Sequence, residues 1–268
     1  MLYNAKYAIV NLSHGQMEYI RFGSGKKILI MLPGLGESLR SMKGAALPMA
    51  LLYREFVKTY TVYVFSRKSP LPAGCTTQDM ARHQAEAMDL LKIPQADIFG
   101  VSMGGMIAQH LAIAFPEKVG KLVLAVTAAQ PNPVLTESVT EWISLAQAGD
   151  HTGFMASNLR RIYSQGYCRK NRWMVPLLGK LTKPKSYDCF YIQADACLTH
   201  NAYPQLHQIQ APTLIIGGDQ DLALGGDASR EMAAAIIQAK LTMFPQWGHG
   251  LYEEEKSFNR LVLDFLTA

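Results

Sequence analysis

The chain has 268 residues, of which 49% are hydrophobic and 18% charged, and its formal net charge at pH 7 is +5. This composition is typical of a globular protein and argues against a disordered or low-complexity chain. No apolar run approaches the ~18 residues that a membrane-spanning helix needs, so stable membrane insertion is not expected.

The first residues lack the long apolar region of a signal peptide. Four cysteines, with no C-x-x-C pair among them, are too few and too loosely placed to indicate a disulfide framework or a metal site. We therefore expect a cytoplasmic protein that needs neither a metal ion nor another cofactor.

Strands and helices are predicted to alternate along the first half of the chain. Residues 7–12 and 17–22 predict a hairpin with its turn at His14 and Gly15. Residues 27–32 (KILIML) form a continuous apolar run, as expected of a strand buried on both faces. The next predicted elements are a helix at 47–58, a strand at 60–65, a helix at 76–92, a strand at 97–101, a helix to about 115 and a strand at 121–126. This alternation predicts a mostly parallel sheet covered on both faces.

Residues from about 129 to 209 interrupt that alternation. They contain no convincing strand and are rich in aromatic residues, prolines and arginines, with several short helical patterns, so we predict a helical insertion. Strands are predicted again at 212–216 and 240–244, followed by helices at 227–239 and 253–266.

A candidate nucleophile lies between the strand at 97–101 and the helix that follows it. Residues 100–104 read G-V-S-M-G, a G-x-S-x-G match centred on Ser102. Between a strand and a helix, this motif holds the serine on a tight, strained turn. The serine oxygen then lies at a helix N-terminus, where free N–H groups and the helix dipole favour negative charge.

A serine nucleophile needs a base, a group that orients the base, and donors for the oxyanion. His249 follows the last predicted strand between two glycines, whereas the other histidines lie in predicted helices, the hairpin turn or the insertion. Asp219 and Asp221 both follow the strand at 212–216, and Asp221 is preferred because it lies deeper in the loop. The chain order Ser102, Asp221, His249 matches one known arrangement of the triad.

The oxyanion donors are predicted to be backbone N–H groups. One belongs to Met103, which follows the candidate nucleophile, and the other comes from the glycine-rich loop after residues 27–32, most plausibly from Leu35. The glycines around Leu35 allow the backbone to approach a substrate closely. An ordinary strand-to-helix turn would look the same in sequence.

Together these segments resemble the α/β-hydrolase fold superfamily, in the subgroup with a helical cap after the sixth strand. The resemblance is carried by residues 32–36 (LPGLG), 100–105 (GVSMGG), 115–124 (FPEKVGKLVL), 218–221 (GDQD) and 248–249 (GH). Pro33 stands where the family usually has histidine, and the usual proline a few residues past the acid is replaced in the region around Leu224.

The resemblance implies an α/β-hydrolase fold: a mostly parallel eight-stranded sheet flanked by helices, with a helical cap insertion. It implies a core domain of residues 1–128 and 209–268, and a cap (lid) of residues 129–208 that covers the active site. Gly34, Trp142, Tyr163 and Trp247 are the candidate substrate-pocket residues.

The expected activity is that of a carboxylesterase-like serine hydrolase acting on a small to medium acyl substrate. The alternatives are an acyltransferase, a C–C hydrolase or lyase with the same triad, and a non-catalytic ligand-binding protein on this scaffold. Oligomeric state is left open by the sequence.

The positive charge is concentrated in the insertion. Residues 151–190 carry eight basic side chains and one acid. These cations could attract an anionic group on the substrate, but a solvated face of the cap helices is the favoured interpretation. Nucleic-acid binding has little support without a recognisable reading module.

Overall fold

The computed structural model describes residues 2–268, and its central feature is one eight-stranded sheet. The strands are β1 Lys6–Leu12, β2 Gly15–Gly23, β3 Lys27–Leu32, β4 Tyr60–Ser69, β5 Ala96–Val101, β6 Val119–Ala125, β7 Thr213–Gly218 and β8 Lys240–Phe244. Their order across the sheet is β1-β2-β4-β3-β5-β6-β7-β8. Only the β1–β2 and β2–β4 pairs are antiparallel, so the predicted, mostly parallel eight-stranded sheet is confirmed.

The helices lie on both faces of this sheet and in the segment between β6 and β7. They are α1 Ala46–Leu52, α2 Thr77–Leu90, α3 Met103–Ala114, α4 Pro133–Gln147, α5 His151–Ile162, α6 Gln165–Asn171, α7 Val175–Leu181, α8 Asp188–Leu198, α9 Asp227–Ala235, α10 Leu251–Glu254 and α11 Phe258–Thr267. Short 3-10 helices span Leu2–Asn4, Leu35–Leu39, Pro116–Lys118, Arg172–Met174 and Tyr203–Gln208. Across residues 2–268, no helix is both long and apolar enough to cross a bilayer.

Both faces of the sheet are buried, as the continuous apolar runs predict. On β5, Ile98 packs into one hydrophobic cluster with Ile107 of α3. Its neighbour Phe99 points to the other face, where its ring centroid lies 5.9 Å from that of Phe258 in α11. Because successive strand residues alternate sides, a strand covered on both faces must be apolar throughout.

Three predicted helices differ from the structure. The helix predicted at 227–239 ends at Ala235, and Ile236 after it is extended. The helix predicted at 47–58 ends at Leu52, and residues 53–59 form successive turns in which Phe56 N donates to Tyr53 O. The helix predicted at 253–266 is broken at Glu255, whose backbone is extended. The Glu255 carboxylate accepts hydrogen bonds from the backbone N–H and hydroxyl of Ser257, which gives the chain a local alternative to continuing the helix.

Five α-helices, α4 to α8, lie between β6 and β7, and no residue from 126 to 212 is in a strand. Asn132 caps α4 by accepting from Leu135 N at 2.9 Å, and its amide donates to Leu224 O after β7 at 2.8 Å. Helix α8 also packs against the 3-10 helix Leu35–Leu39 after β3. The inserted helices therefore lie above the loops that follow the strands. The division of the chain into a core domain and a cap domain stays a prediction.

Candidate active site

The three candidate triad residues lie at one edge of the sheet. Ser102 follows β5, Asp221 follows β7, and His249 follows β8. Strands β5 to β8 are parallel neighbours, so their carboxyl ends meet at the same edge. Open α/β sheets bind their ligands at this edge.

Ser102 has a strained backbone, with φ 55° and ψ −123°, immediately before α3. Positive φ is uncommon for a residue with a Cβ and costs of order 1–3 kcal/mol unless its surroundings impose it. Two hydrogen bonds hold the turn: Ser102 N donates to Ala125 O at 2.9 Å, and Thr127 Oγ1 donates to Ser102 O at 2.7 Å. The strand β6 and the residues after it thus fix the nucleophile turn.

The glycines of the motif are required by close packing around this turn. A Cβ on Gly104 would lie 1.9 Å from Leu32 O at the end of β3. A Cβ on Gly100 would lie 2.6 Å from Gly104 O, and one on Gly105 would lie 2.6 Å from the Thr127 side chain. The backbone of α3 therefore approaches two strand ends more closely than any side chain would allow.

His249 and Asp221 form a buried pair. His249 Nδ1 lies 2.8 Å from Asp221 Oδ2, and the two side chains are only 5% and 3% exposed. The other carboxylate oxygen, Oδ1, accepts from the N–H groups of Ala223 and Leu224, each at 2.8 Å. Because a carboxylate only accepts, the shared proton belongs on Nδ1, which leaves Nε2 free to act as a base.

The loops that carry this pair are joined by their backbones. Gln220 N donates to Trp247 O at 3.0 Å, and a Cβ on Gly218 would lie 2.3 Å from the same oxygen. A Cβ on Gly248 would lie 2.8 Å from Gln220 O. Asp219, the other candidate acid, points elsewhere and accepts from Arg230 Nη2 at 2.7 Å. The fold thus brings Asp221, and not Asp219, to the histidine.

Across residues 2–268, no hydrogen-bond partner is present for the Ser102 hydroxyl, so it donates no hydrogen bond to His249 in this state. Such bonds between nucleophile and base are often long without substrate and tighten in the complex. The joint action of Ser102 with the buried pair is therefore a proposal, taken up below.

The two predicted oxyanion donors are free. Within the described chain, neither Leu35 N–H nor Met103 N–H donates a hydrogen bond. A Cβ on Gly34 would lie 3.2 Å from Ser102 Cβ, so the loop after β3 runs directly beside Ser102. Two free N–H groups on neighbouring segments can stabilise an oxyanion if both point to one position.

Arg67, at the end of β4, supports this loop and was not anticipated from the sequence. Its Nη2 donates to Pro33 O at 2.5 Å, and only 5% of the residue is exposed. Burial lowers the pKa of Arg67, while the neighbouring Glu37 carboxylate opposes that effect. A single arginine in a strand gives no sequence signal for such a role.

A groove of about 570 Å³ opens beside the same loop. Its lining includes Glu37, Ser38, Arg40, Arg67 and Lys68. Among the residues that the structure describes, Ser102 and His249 are not part of that lining, so the groove adjoins the oxyanion loop without containing the candidate triad.

The four candidate pocket residues have different surroundings. Gly34 contacts the Ser102 turn. Tyr163 lies against the histidine loop, since a Cβ on Gly250 would lie 2.9 Å from its ring, and its hydroxyl donates to Glu253. Trp142 is buried in the core cluster, and the Trp247 indole donates to Glu255 at 2.7 Å. Their contact with a substrate stays a prediction.

The basic residues of the insertion divide into two groups. Arg160 and Arg161 form ion pairs with Glu141, and Arg161 also pairs with Glu137. The other six are exposed: Arg169, Lys170, Arg172, Lys180, Lys183 and Lys185. No cluster of three or more His, Cys, Asp or Glu residues within 2–268 is placed to hold a metal ion.

Two further contacts at the site had weak or no sequence signals. Thr127 lies two residues after the end of β6, as the candidate catalytic residues lie shortly after their strands, so its position is a weak sequence signal. Glu254 binds both the N–H and the hydroxyl of Ser164, and Gly250 N donates to Ile162 O at 2.6 Å. These bonds tie the inserted helices to the histidine loop, and nothing local in the sequence indicates them.

Comparisons with known proteins agree with this fold. A family model described as the alpha/beta hydrolase fold matches residues 27–174, and one described as a TAP-like protein matches residues 176–268. The 2-hydroxy-6-oxononadienedioate/2-hydroxy-6-oxononatrienedioate hydrolase of Paraburkholderia xenovorans is 28% identical over 94% of this chain and 91% of its own. The protein of the same name from Cupriavidus pinatubonensis is 30% identical over 72% of this chain and 70% of its own. The crystal structure of MGS-M2, an alpha/beta hydrolase from a deep-sea metagenome library, superposes with a TM-score of 0.84, covering 97% of this chain and 98% of its own at 23% identity.

Proposed function

The chain belongs to the α/β-hydrolase fold family and is a hydrolase, and on that premise we propose that Ser102, His249 and Asp221 are its catalytic triad. The observation that carries the proposal is the buried His249–Asp221 pair, at the sheet edge where the strained turn presents Ser102. A buried imidazole that a carboxylate orients through Nδ1 is the base that a serine nucleophile requires.

In the proposed reaction, Ser102 Oγ attacks the substrate carbonyl carbon while His249 Nε2 takes the hydroxyl proton. The carbonyl oxygen becomes an oxyanion and accepts hydrogen bonds from the N–H groups of Leu35 and Met103. His249 then gives its proton to the leaving group, which departs and leaves an acyl-enzyme. Water, deprotonated by the same histidine, releases the acid and restores the serine.

For the bond that is cleaved, we propose a carboxylic ester or related acyl bond of a small to medium substrate. Arg160 and Arg161 are the basic residues of the insertion nearest in sequence to the contact between Ile162 and the histidine loop, and both are paired with glutamates. Both arginines already have carboxylate partners within the protein, which favours an uncharged acyl substrate over a dicarboxylate.

A C–C hydrolase is the second candidate, and the names of the relatives favour it. The two curated relatives reported above are hydrolases of 2-hydroxy-6-oxononadienedioate and its triene analogue. A bond between carbons beside a ketone can be cleaved by the same triad, since the ketone carbonyl accepts the attack and a stabilised carbon fragment leaves.

The test is a panel of esters graded in acyl length and charge, together with 2-hydroxy-6-oxononadienedioate, assayed with wild type and Ser102→Ala. We expect turnover of the preferred substrate to fall by several orders of magnitude in Ser102→Ala. Ser144→Ala, at an exposed serine of α4, is the matched control and should retain turnover.

Each alternative has its own outcome. Full turnover in Ser102→Ala would eliminate the triad mechanism. Preferred cleavage of the dioate would replace the ester by the C–C substrate, and an acylated product formed from added alcohol would indicate an acyltransferase. Failure of a fluorophosphonate to label Ser102 in folded protein would instead support a ligand-binding role.

A further inference from the structure

The segment around α7 exposes large apolar side chains in a regular row. Trp173 is 69% exposed, Leu177 54% and Leu181 73%. They are spaced four residues apart across the 3-10 helix Arg172–Met174 and α7, so they lie on one side of the helix. We call these three residues the α7 stripe.

The opposite side of α7 packs against the protein. A Cβ on Gly179 would lie 2.5 Å from Thr152 Oγ1 in α5, so the helix backbone is in close contact with α5 there. Gly179 is about half a helical turn from the stripe. The stripe therefore points away from the protein, and it is not covered by a neighbouring helix.

The segment that carries the stripe is rich in basic residues. Residues 164–187 contain six basic side chains and no acidic one. All six are exposed, and within the described residues 2–268 none forms a salt bridge: Arg169, Lys170, Arg172, Lys180, Lys183 and Lys185. This density of unpaired cations is unlike the Arg160 and Arg161 region, where glutamates balance the charge.

We propose that the α7 stripe and these six cations dock the protein on an anionic lipid surface. A short helix with an apolar row, a tryptophan and flanking Lys or Arg residues matches the requirements of the bilayer interface. The leucines enter the boundary between headgroups and acyl chains, and the cations bind anionic headgroups. A second copy of the chain is disfavoured as the occupant, because two such surfaces would bring two sets of unpaired cations together.

The docking surface begins next to the candidate active site. Ser164, at its start, is held by Glu254, and Gly250 beside His249 donates to Ile162 O. Docking at α7 therefore places the lipid boundary, where acyl substrates of low water solubility concentrate, on a segment that is joined to the histidine loop. This inference adds a location to the proposed function, and the docking itself does not depend on catalysis.

The experiment is co-sedimentation of the full chain with vesicles of phosphatidylcholine alone and of phosphatidylcholine mixed with phosphatidylglycerol. We expect binding to the mixed vesicles that weakens with added salt, and at least ~10-fold weaker binding to phosphatidylcholine alone. Trp173, the exposed tryptophan, should also shift its fluorescence to the blue on the mixed vesicles.

Paired variants distinguish binding through the α7 stripe from nonspecific binding through any exposed apolar side chains. Leu177→Ser with Leu181→Ser should weaken vesicle binding at least ~10-fold, because the inserted apolar area is lost. Leu222→Ser with Ile237→Ser, at residues 55% and 67% exposed elsewhere on the molecule, should leave it unchanged. Ser102→Ala should bind vesicles as wild type does. Loss of catalysis would therefore not be mistaken for loss of vesicle binding.

The inference is overturned if mixed vesicles are not bound, or if the stripe and control variants bind equally. It is also overturned if sedimentation without lipid shows a dimer that the stripe variant abolishes, since the occupant would then be a second copy. The stripe variant and the control variant should both hydrolyse a soluble ester at the wild-type rate, which confirms that they are folded.

Discussion

At the scale of single residues, the site depends on which polar partner each side chain finds. Asp219 and Asp221 are two positions apart in one loop, yet Asp219 accepts from Arg230 while Asp221 accepts from His249. Asp221 is also buried, with 6% of the residue exposed, and its Oδ1 accepts two backbone N–H bonds. Since Oδ2 faces His249, both carboxylate oxygens are held in place. The two aspartates are a natural matched pair for mutation.

Asp221→Asn should lower kcat by about 10⁴-fold, because the amide favours the wrong histidine tautomer and no longer stabilises the imidazolium. Asp219→Asn should change kcat by less than about threefold, since only an exposed ion pair with Arg230 is affected. Steady-state kinetics on the best substrate of the panel measures both. Equal losses in the two variants would contradict the assignment of Asp221.

At the scale of elements, the turn at Ser102 depends on close packing of β3, β5 and α3. Their backbones approach so closely that a side chain would not fit between them. Leu32 O at the end of β3 lies where a side chain on Gly104 would project. Thr127, after β6, fills the space beside Gly105 and donates to Ser102 O. Residues 100–105 thus combine the candidate nucleophile with the glycines that allow neighbouring backbone to support it.

Gly104→Ala should destabilise the protein by about 3 kcal/mol or more, because its methyl group would overlap backbone atoms that cannot move independently. Gly36→Ala is the control, since a Cβ there meets no atom within 4 Å and the residue does not have positive φ. Urea denaturation of both variants gives the free energies of unfolding. A Gly104→Ala protein as stable as Gly36→Ala would disprove the close approach.

At the scale of the whole molecule, a buried histidine joins three helices. His200, just after α8, is 1% exposed, and its Nδ1 lies 2.9 Å from Thr77 Oγ1 of α2. Its ring packs edge-on against His110 of α3, and its Nε2 lies 3.4 Å from Gln109 Oε1. Burial lowers the pKa of His200 to about 3, with a further lowering from His110.

This burial predicts acid sensitivity. Below a pH of about 6.5 the unfolded chain protonates His200, whereas the folded protein keeps it neutral down to about 3, so the free energy of unfolding falls as pH decreases through this window. Within this window, His200 is expected to add up to about 1.4 kcal/mol per pH unit to the slope of the free energy of unfolding against pH. Above the window it adds no slope. Urea denaturation at several pH values measures the slope.

The histidine can be identified by substitution. His200→Gln should reduce that slope by up to about 1.4 kcal/mol per pH unit, which corresponds to one proton. This holds whatever the effect of the substitution on stability at neutral pH. His207→Gln, at an exposed histidine, is the matched control for the substitution itself. An unaltered slope in His200→Gln would assign the acid sensitivity to other groups, such as His110, whose pKa burial also lowers.

Much of the architecture followed from the sequence by itself, because the patterns are local. Continuous apolar runs identify strands buried on both faces, and the strand–turn–helix context of residues 100–104 identifies the Ser102 turn. The breaks at Leu52 and Glu255 were missed, because they depend on turns and side-chain caps that compete with helix over a few residues.

The tertiary structure alone decided the partners. Arg67 reaches Pro33 across neighbouring strands, and Glu141 pairs with Arg160 and Arg161. It also decided that the α7 stripe faces outward, since helical periodicity locates an apolar row but does not say what covers it. Burial preferences are encoded residue by residue, whereas hydrogen-bond partners and exposure depend on segments that are distant in sequence and meet only in the fold.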